Sequence, residues 1–491
     1  MASRRGFLLG SVAAGLFLAG CGSDDDDTPA GPTYTPRGAS SAVPAATVTG
    51  PIAVRAAPGD ASRDYPQLAT QAPLAASGYV EEEFFFEGTA NRYNTPDQAT
   101  GSVASSGHPY RSRMLVRRPT NAARFNGIVV VEWVNVTSGY NLDALWQSSS
   151  EFFMRNGYAY VGVSAQRVGV QGVPANPALP ASLTTWSPTR YGTLDVTAGG
   201  TITDDSLSYD VFAQASKAIA TPGRVDPLGG LPGRRVLLAS GVSQSEGRLV
   251  TYHNSIEPLQ RLFDGYYLFL GIGPRLRTDL DVKVIKINTE NDVLLLREAV
   301  ARQDDSNVLR TWEIAGTSHV SFQSGAVRTP LLVRDNLPQA PTTCDRPPFA
   351  RVSPRPVLDA AYGHLVRWIQ GGEPPPSAPR IELTAVNAAT AASPAVANRD
   401  ARGNALGGIR LPDHAVPIGT NTGVNSGSGF CVLFGSHEPF DTATLRALYP
   451  TRQAYVDAVA ASARENLRLG FIVQQDADAY IQAAQTANIG L

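Results

Sequence analysis

From Gly78 onward, short apolar runs alternate with longer amphipathic ones. Tyr79 to Glu87 carries a run of aromatic residues, and Ser112 to Arg117 alternates into Met114, Leu115 and Val116. Both read as antiparallel strands with one face packed and the other solvated. Ile128-Val129-Val130-Val131-Glu132-Trp133-Val134 is almost wholly apolar, as a strand buried on both faces should be. The pattern then predicts a helix over Asn141 to Asn156, a strand over Tyr158 to Val163 and a helix over Leu207 to Ala220. Between these last two lies an irregular insertion rich in Pro, Gly and Thr, residues 165–205. A second round follows: strand Val236 to Ser240 with helix Arg248 to Ile256, then strand Phe263 to Leu270. Strand Val282 to Ile287 with a helix around Val293 to Arg302, and strand Leu309 to Ile314, complete it. Strands alternating with helices predict an α/β fold, a mostly parallel, doubly wound sheet led by two antiparallel strands. The core is expected over residues 78–343.

From Cys344 the pattern changes. Helices are expected over Val357 to Gln370, Thr442 to Leu448, Tyr455 to Leu469 and Ala477 to Ala487, around a loop-rich stretch from Ile381 to Gly429. Residues 344–491 lack a convincing apolar set of their own, so they are expected to pack back on the core as a loop-rich helical extension. Ahead of the core, Arg4-Arg5-Gly6-Phe7-Leu8-Leu9 runs into an apolar segment ending in Leu18-Ala19-Gly20-Cys21. The arginine pair resembles a twin-arginine export signal, and the end resembles a bacterial lipobox. Together they predict a signal peptide over residues 1–21, cleavage before Cys21 and lipid attachment to its thiol. The run is short for a membrane span. Residues 22–77, opening with Asp24 to Asp27 and rich in Thr, Pro, Ala and Gly, read as a flexible tether.

Composition narrows the partners. The 491 residues carry a net charge of −2 without a broad basic block, which argues against nucleic-acid binding by phosphate neutralisation. The membrane is expected to be reached through the lipid anchor only, in the cell envelope on the periplasmic or cell-surface side. Past Cys21 only Cys344 and Cys431 remain. In an oxidising compartment such a pair suggests one disulfide; two buried free thiols are the alternative. No Cys/His spacing resembles a zinc site.

The chemistry centres on Ala239-Ser240-Gly241-Val242-Ser243-Gln244-Ser245-Glu246-Gly247, where an apolar strand turns into a helix through small residues. A turn that lifts a serine hydroxyl above the sheet edge needs small neighbours two before and two after it, and Gly241 and Ser245 meet that need around Ser243. A second frame places Ser245 between Ser243 and Gly247. Acyl transfer also needs a base and an acid that orients it, beyond the carboxyl ends of later strands. Beyond Ile287 come Glu290 and Asp292, and beyond Ile314 comes His319. Ser243, Asp292 and His319 have the order Ser, acid, His; Glu290 is an alternative acid. Each carboxylate also suits a helix start near Val293. Of the other five histidines, His108, His253, His364, His414 and His437, only His437 rivals His319. Oxyanion donors are expected from the backbone N–H of Gln244 and from Asn135 or Val136, in the loop after the strand ending at Val134. Glu132 and Trp133 are expected near the site. Trp186 and Tyr191 in the insertion hint at an apolar substrate.

With those residues in place the chain resembles the α/β-hydrolase superfamily. More narrowly, it is similar to a largely uncharacterised family of bacterial exported α/β-hydrolase-domain proteins. The shared strings are Val131-Glu132-Trp133-Val134-Asn135-Val136, Gly241-Val242-Ser243-Gln244-Ser245, Phe263-Asp264-Gly265, Thr289-Glu290-Asn291-Asp292-Val293, Trp312-Glu313-Ile314-Ala315-Gly316-Thr317-Ser318-His319 and Gly407-Gly408-Ile409-Arg410-Leu411-Pro412. Glu246 departs from the small residue expected there. The resemblance implies an α/β-hydrolase fold whose tail belongs to the hydrolase, and it brings no substrate. The expectation is a serine hydrolase acting on small-molecule carboxylic esters, without metal or cofactor. Acyltransfer or amide hydrolysis would use the same three residues, and a binding lipoprotein on a hydrolase scaffold is the reading from another class.

Overall fold

Nine strands form one sheet in the order β1-β2-β3-β5-β4-β6-β7-β8-β9. They are β1 (Thr47–Thr49), β2 (Tyr79–Asn94), β3 (Ser102–Pro119), β4 (Ile128–Trp133), β5 (Ala159–Val163), β6 (Val236–Val242), β7 (Gly265–Phe269), β8 (Lys283–Thr289) and β9 (Leu309–Ile314). The structure, a computed structural model, describes residues 34–172, 181–233 and 235–489. The signal segment with Cys21, and residues 22–33, lie outside these.

Pairing is antiparallel from β1 to β3 and between β3 and β5, and parallel from β5 through β9. The parallel strands are apolar on both faces because helices cover both. Val129, Val131, Leu237, Ala239, Leu268 and Val284 join one core with helix Ser208–Ala220. Chain direction across the sheet reverses between β4 and β6, since β4 leads to β5 on one side and β6 lies on the other. Such a switch point opens a crevice beyond the strand ends, where ligands bind in open α/β sheets.

Three expectations are corrected. The first concerns residues 22–77: from 35 on they pack with the core instead of forming a tether. β1 extends the sheet edge, Val43, Ala46, Tyr65 and Leu68 are buried, and the Nζ of Lys217 donates to the carbonyls of Gly38 and Ala39. A Cβ on Gly38 would meet the Cβ of Ala220 at 2.7 Å, so the low complexity here serves close approach. The second concerns the leading strands, which run seven residues past Glu87 and start ten before Ser112. Their far ends form a polar ribbon without apolar alternation. It is held by side chains: Asp210 accepts from the N–H of Asn91 at 2.7 Å and the hydroxyl of Tyr93 at 2.5 Å, and Gln214 donates to the carbonyl of Thr89 at 2.8 Å.

The third concerns a missing helix, Phe322–Arg334, which the pattern reading passed over. Pro330 inside it reads as a breaker, and only Leu331 and Leu332 are buried, so it shows little amphipathic signal.

The C-terminal extension packs on the core as expected. Ile409 bridges β9, with its N–H donating to the carbonyl of Glu313 at 2.7 Å. Its last helices also carry a small cluster of their own, including Val416, Leu445, Tyr455 and Val459. Cys344 and Cys431 form a disulfide with 5.4 Å between Cα atoms. Among the described residues, no helix is long and apolar enough to cross a membrane.

Candidate active site

β6 ends at Val242 and the next helix starts at Gln244, so Ser243 alone makes the turn. Its backbone sits at φ +58°, ψ −119°, a strained conformation for a residue with a side chain. Gly241 is required two residues earlier: a Cβ there would lie 2.8 Å from the carbonyl oxygen of Ser245. Ser245 is fully buried, and its Oγ accepts from the N–H of Val242 at 2.9 Å and donates to the Val242 carbonyl at 3.0 Å. That hydroxyl fastens the turn and does not line the cleft, whereas Ser243 does.

The Nε2 of His319 is 2.8 Å from the Oγ of Ser243, and its Nδ1 is 2.6 Å from Oδ1 of Asp292. Asp292 stands at the start of helix Glu290–Leu295, where its Oδ2 accepts from the N–H of Thr289 at 2.7 Å. It therefore closes a capping box and faces the histidine at once. Glu290 points elsewhere. One oxygen accepts from the N–H of Gly316 at 2.7 Å; the other pairs with Arg399 at 2.7 Å and accepts from the N–H of Gly423 at 3.0 Å.

The remaining histidines are accounted for locally. The Nδ1 of His437 is 3.0 Å from Oδ1 of Asn421, and the Nε2 of His414 donates to the carbonyl of Ala405 at 2.8 Å. His253 lies fully inside, where burial pushes its pKa down to about 4.

Of the expected oxyanion donors, Gln244 opens the helix, and its backbone N–H has no partner among the described residues. The N–H of Asn135 is engaged, donating to the carbonyl of Leu142 at 3.0 Å. Its side chain donates to the carbonyl of Val242 at 3.0 Å and accepts from the N–H of Thr137 at 2.9 Å. Asn135 therefore ties the β4 loop to the elbow, and the N–H of Val136 is the one left without a partner among the described residues.

Ser243 and His319 open into a cleft contiguous with solvent. Its walls are largely apolar, including Tyr140, Leu142, Phe269, Leu332 and Phe434. Glu132 and Trp133 do not line it. Glu132 caps the helix Ala144–Asn156, accepting from the N–H of Leu145 at 3.1 Å and the hydroxyl of Tyr160 at 2.7 Å. Burial pushes its pKa up to about 8. Trp133 packs on Tyr209 and Phe212. Trp186 and Tyr191 likewise pack inside, on Tyr65 and Phe85, and no described residue of the insertion lines the cleft. Residues 173–180 of the insertion lie outside the described set.

The extension also holds the loops of the site. The N–H of Val320 donates to the carbonyl of Leu433 at 2.9 Å, clamping the histidine loop. Asn291 donates to the carbonyls of Gly423 at 2.6 Å and Val432 at 2.8 Å, clamping the acid loop. Phe430 and Phe434, beside the disulfide, form one cleft wall.

The chain belongs to the family described as alpha/beta hydrolase domain, whose model matches residues 48–482. The expected fold class is therefore met, with the extension inside the family's span. No curated protein matches the chain. Solved structures similar to it include the rice cell wall degrading esterase LipA from Xanthomonas oryzae, at 14% identity over 42% of this chain and 47% of that one, TM-score 0.23. A cold-adapted esterase from an Arctic intertidal metagenomic library is 11% identical over 53% of this chain and 95% of that one, TM-score 0.27. The match spans less than half of the LipA chain. Likenesses this weak carry no argument about the reaction.

Proposed function

We propose that this protein is a serine hydrolase that cleaves small carboxylic esters through Ser243, His319 and Asp292. The observation that carries the reading is the hydroxyl of Ser243, 2.8 Å from the Nε2 of a histidine whose other nitrogen meets a buried carboxylate at 2.6 Å. A serine hydroxyl is a weak nucleophile unless a base takes its proton as it attacks. The Oγ of Ser243 adds to the acyl carbon while Nε2 of His319 removes its proton. Asp292 keeps the proton on Nδ1 and stabilises the imidazolium. The N–H groups of Gln244 and Val136 receive the oxyanion. His319 then protonates the departing alkoxide, leaving the acyl group on Ser243. Water attacks this ester with His319 again as base, and His319 returns that proton to Oγ of Ser243 as the acid leaves. The apolar cleft suits acyl or alcohol groups of modest size.

The test is labelling by a fluorophosphonate, which reacts only with an activated serine. The expected result is one adduct, mapped by mass spectrometry to Ser243. Absence of any adduct on folded protein would favour the non-catalytic binding reading.

The lipobox string supports anchoring of the exported protein in the bacterial cell envelope through a lipid on Cys21. Cys21→Ser is expected to abolish incorporation of labelled palmitate in cells; undiminished incorporation would sink the anchor.

A further inference from the structure

The helix Phe322–Arg334 presents Ser324, Arg328 and Leu332 to the cleft that holds Ser243 and His319. Their spacing of four residues places them on one stripe of the helix. Arg328, half-buried, differs from the buried arginines. Arg113, Arg117, Arg190 and Arg235 each have a carboxylate within 3.0 Å. Among the described residues Arg328 has no ion pair, and its Nε is sealed from solvent without an acceptor. The nearest acid acting on it, Asp143, is already engaged: it pairs with Arg117 at 2.5 Å and accepts from the amide of Gln147 at 2.8 Å. Burial pulls the pKa of Arg328 below the ordinary arginine value, yet a guanidinium keeps its proton in any protein setting. A half-buried charged fork thus faces a largely apolar cleft with no acceptor for its Nε. Leaving such a group unsatisfied is unfavourable unless a ligand completes it.

We propose that Arg328 receives a carboxylate carried by the substrate, so that the cleft selects esters bearing an anionic group. The planar guanidinium binds a carboxylate through two parallel N–H···O bonds, which a neutral ester lacks. This rests on the ester-hydrolase reading, and it adds the substrate class that reading lacks. Arg328 acts in binding and takes no part in proton transfer.

Two matched pairs of esters test it by kcat/KM. Monomethyl adipate against methyl hexanoate puts the charge on the acyl side. 4-Acetoxybenzoate against phenyl acetate puts it on the leaving group. The expected result is a preference for the anionic member of one pair by roughly 10- to 100-fold, the range of a hydrogen bond to a charged group. In Arg328→Met that ratio is expected to fall to about one, and in Arg328→Lys to an intermediate value. The melting temperature of Arg328→Met is expected to stay level, because the half-buried Arg328 makes no ion pair whose loss would destabilise the fold. Equal rates within both pairs for the wild type, or a preference that survives in Arg328→Met, would overturn the proposal. Absence of turnover on all four esters overturns the hydrolase reading instead. Calorimetry with adipate then decides the subsite: binding weakened at least tenfold in Arg328→Met supports it, and equal binding or none overturns it.

Discussion

Ser243→Ala is expected to remove turnover of p-nitrophenyl butyrate by roughly 10⁶-fold while the protein stays folded, the loss typical when a triad serine goes. The alanine fits the turn, because the strain at φ +58° belongs to the backbone and is shared by both residues. Ser245→Ala is the matched control. It removes the hydroxyl that bridges the N–H and carbonyl of Val242, so it should destabilise by about 1–3 kcal/mol and change the rate far less. His319→Ala should fall as far as Ser243→Ala. Asp292→Asn should lose roughly 10⁴-fold, because the amide lets the imidazole take the wrong tautomer. Glu290→Gln separates the two carboxylates. Its partners are Gly316, Gly423 and Arg399, so its loss should appear in melting temperature before kcat. A Ser245→Ala enzyme that is dead beside a live Ser243→Ala enzyme would move the nucleophile by two residues. A dead Glu290→Gln beside a live Asp292→Asn would exchange the acids.

The parallel strands, and the meeting of Ser243, Asp292 and His319 at their carboxyl ends, were legible because each is specified locally. A doubly buried strand shows as an unbroken apolar run, and its carboxyl end fixes where a catalytic side chain can stand. β9 was delimited to the residue, and Ser243, Asp292 and His319 followed from strand ends. What depends on distant partners stayed hidden. Glu290 and Asp292 are two residues apart at one helix start, and only the distant tail residues Gly423 and Arg399, which engage Glu290, decide which faces His319. Asn135 appeared to be an oxyanion donor because loop position alone cannot show that Leu142 takes its N–H. The aromatics of the insertion were read toward the cleft, yet Trp186 and Tyr191 face the opposite way, into packing with the N-terminal segment. The helix that carries Arg328 was masked by its own proline.

Glu246 was the residue that departed from the family's pattern, and its surroundings yield the second large effect. Behind the elbow, the Nζ of Lys286 on β8 lies 3.4 Å from Oε1 of Glu246 and 2.8 Å from Oε1 of Glu298. All three are buried, and Asn288 donates to the second oxygen of Glu298 at 2.9 Å. Burial pushes the carboxyl of Glu298 up to about 7, while the two carboxylates hold the Lys286 ammonium well above its ordinary value. One cation is therefore shared by two buried carboxyl groups. Lys286→Met leaves both acids without their cation, and a broken buried pair destabilises by about 3–5 kcal/mol. For a chain of this size that corresponds to a fall of roughly 3–5 °C in melting temperature, because the unfolding entropy grows with length. Glu246 also accepts from the N–H of Ile272 at 3.1 Å, so the variant should loosen the loop after β7 as well. Replacing all three together, Glu246→Gln, Lys286→Met and Glu298→Gln, should recover most of the stability, since no uncompensated charge remains. If Lys286→Met melts with the wild type, or the triple variant melts no higher than the single one, the three charges do not act as a unit. If the recovery is seen, Glu246 sits under the nucleophile as one member of a coupled charge cluster, and a small residue there would require a matching change at Lys286.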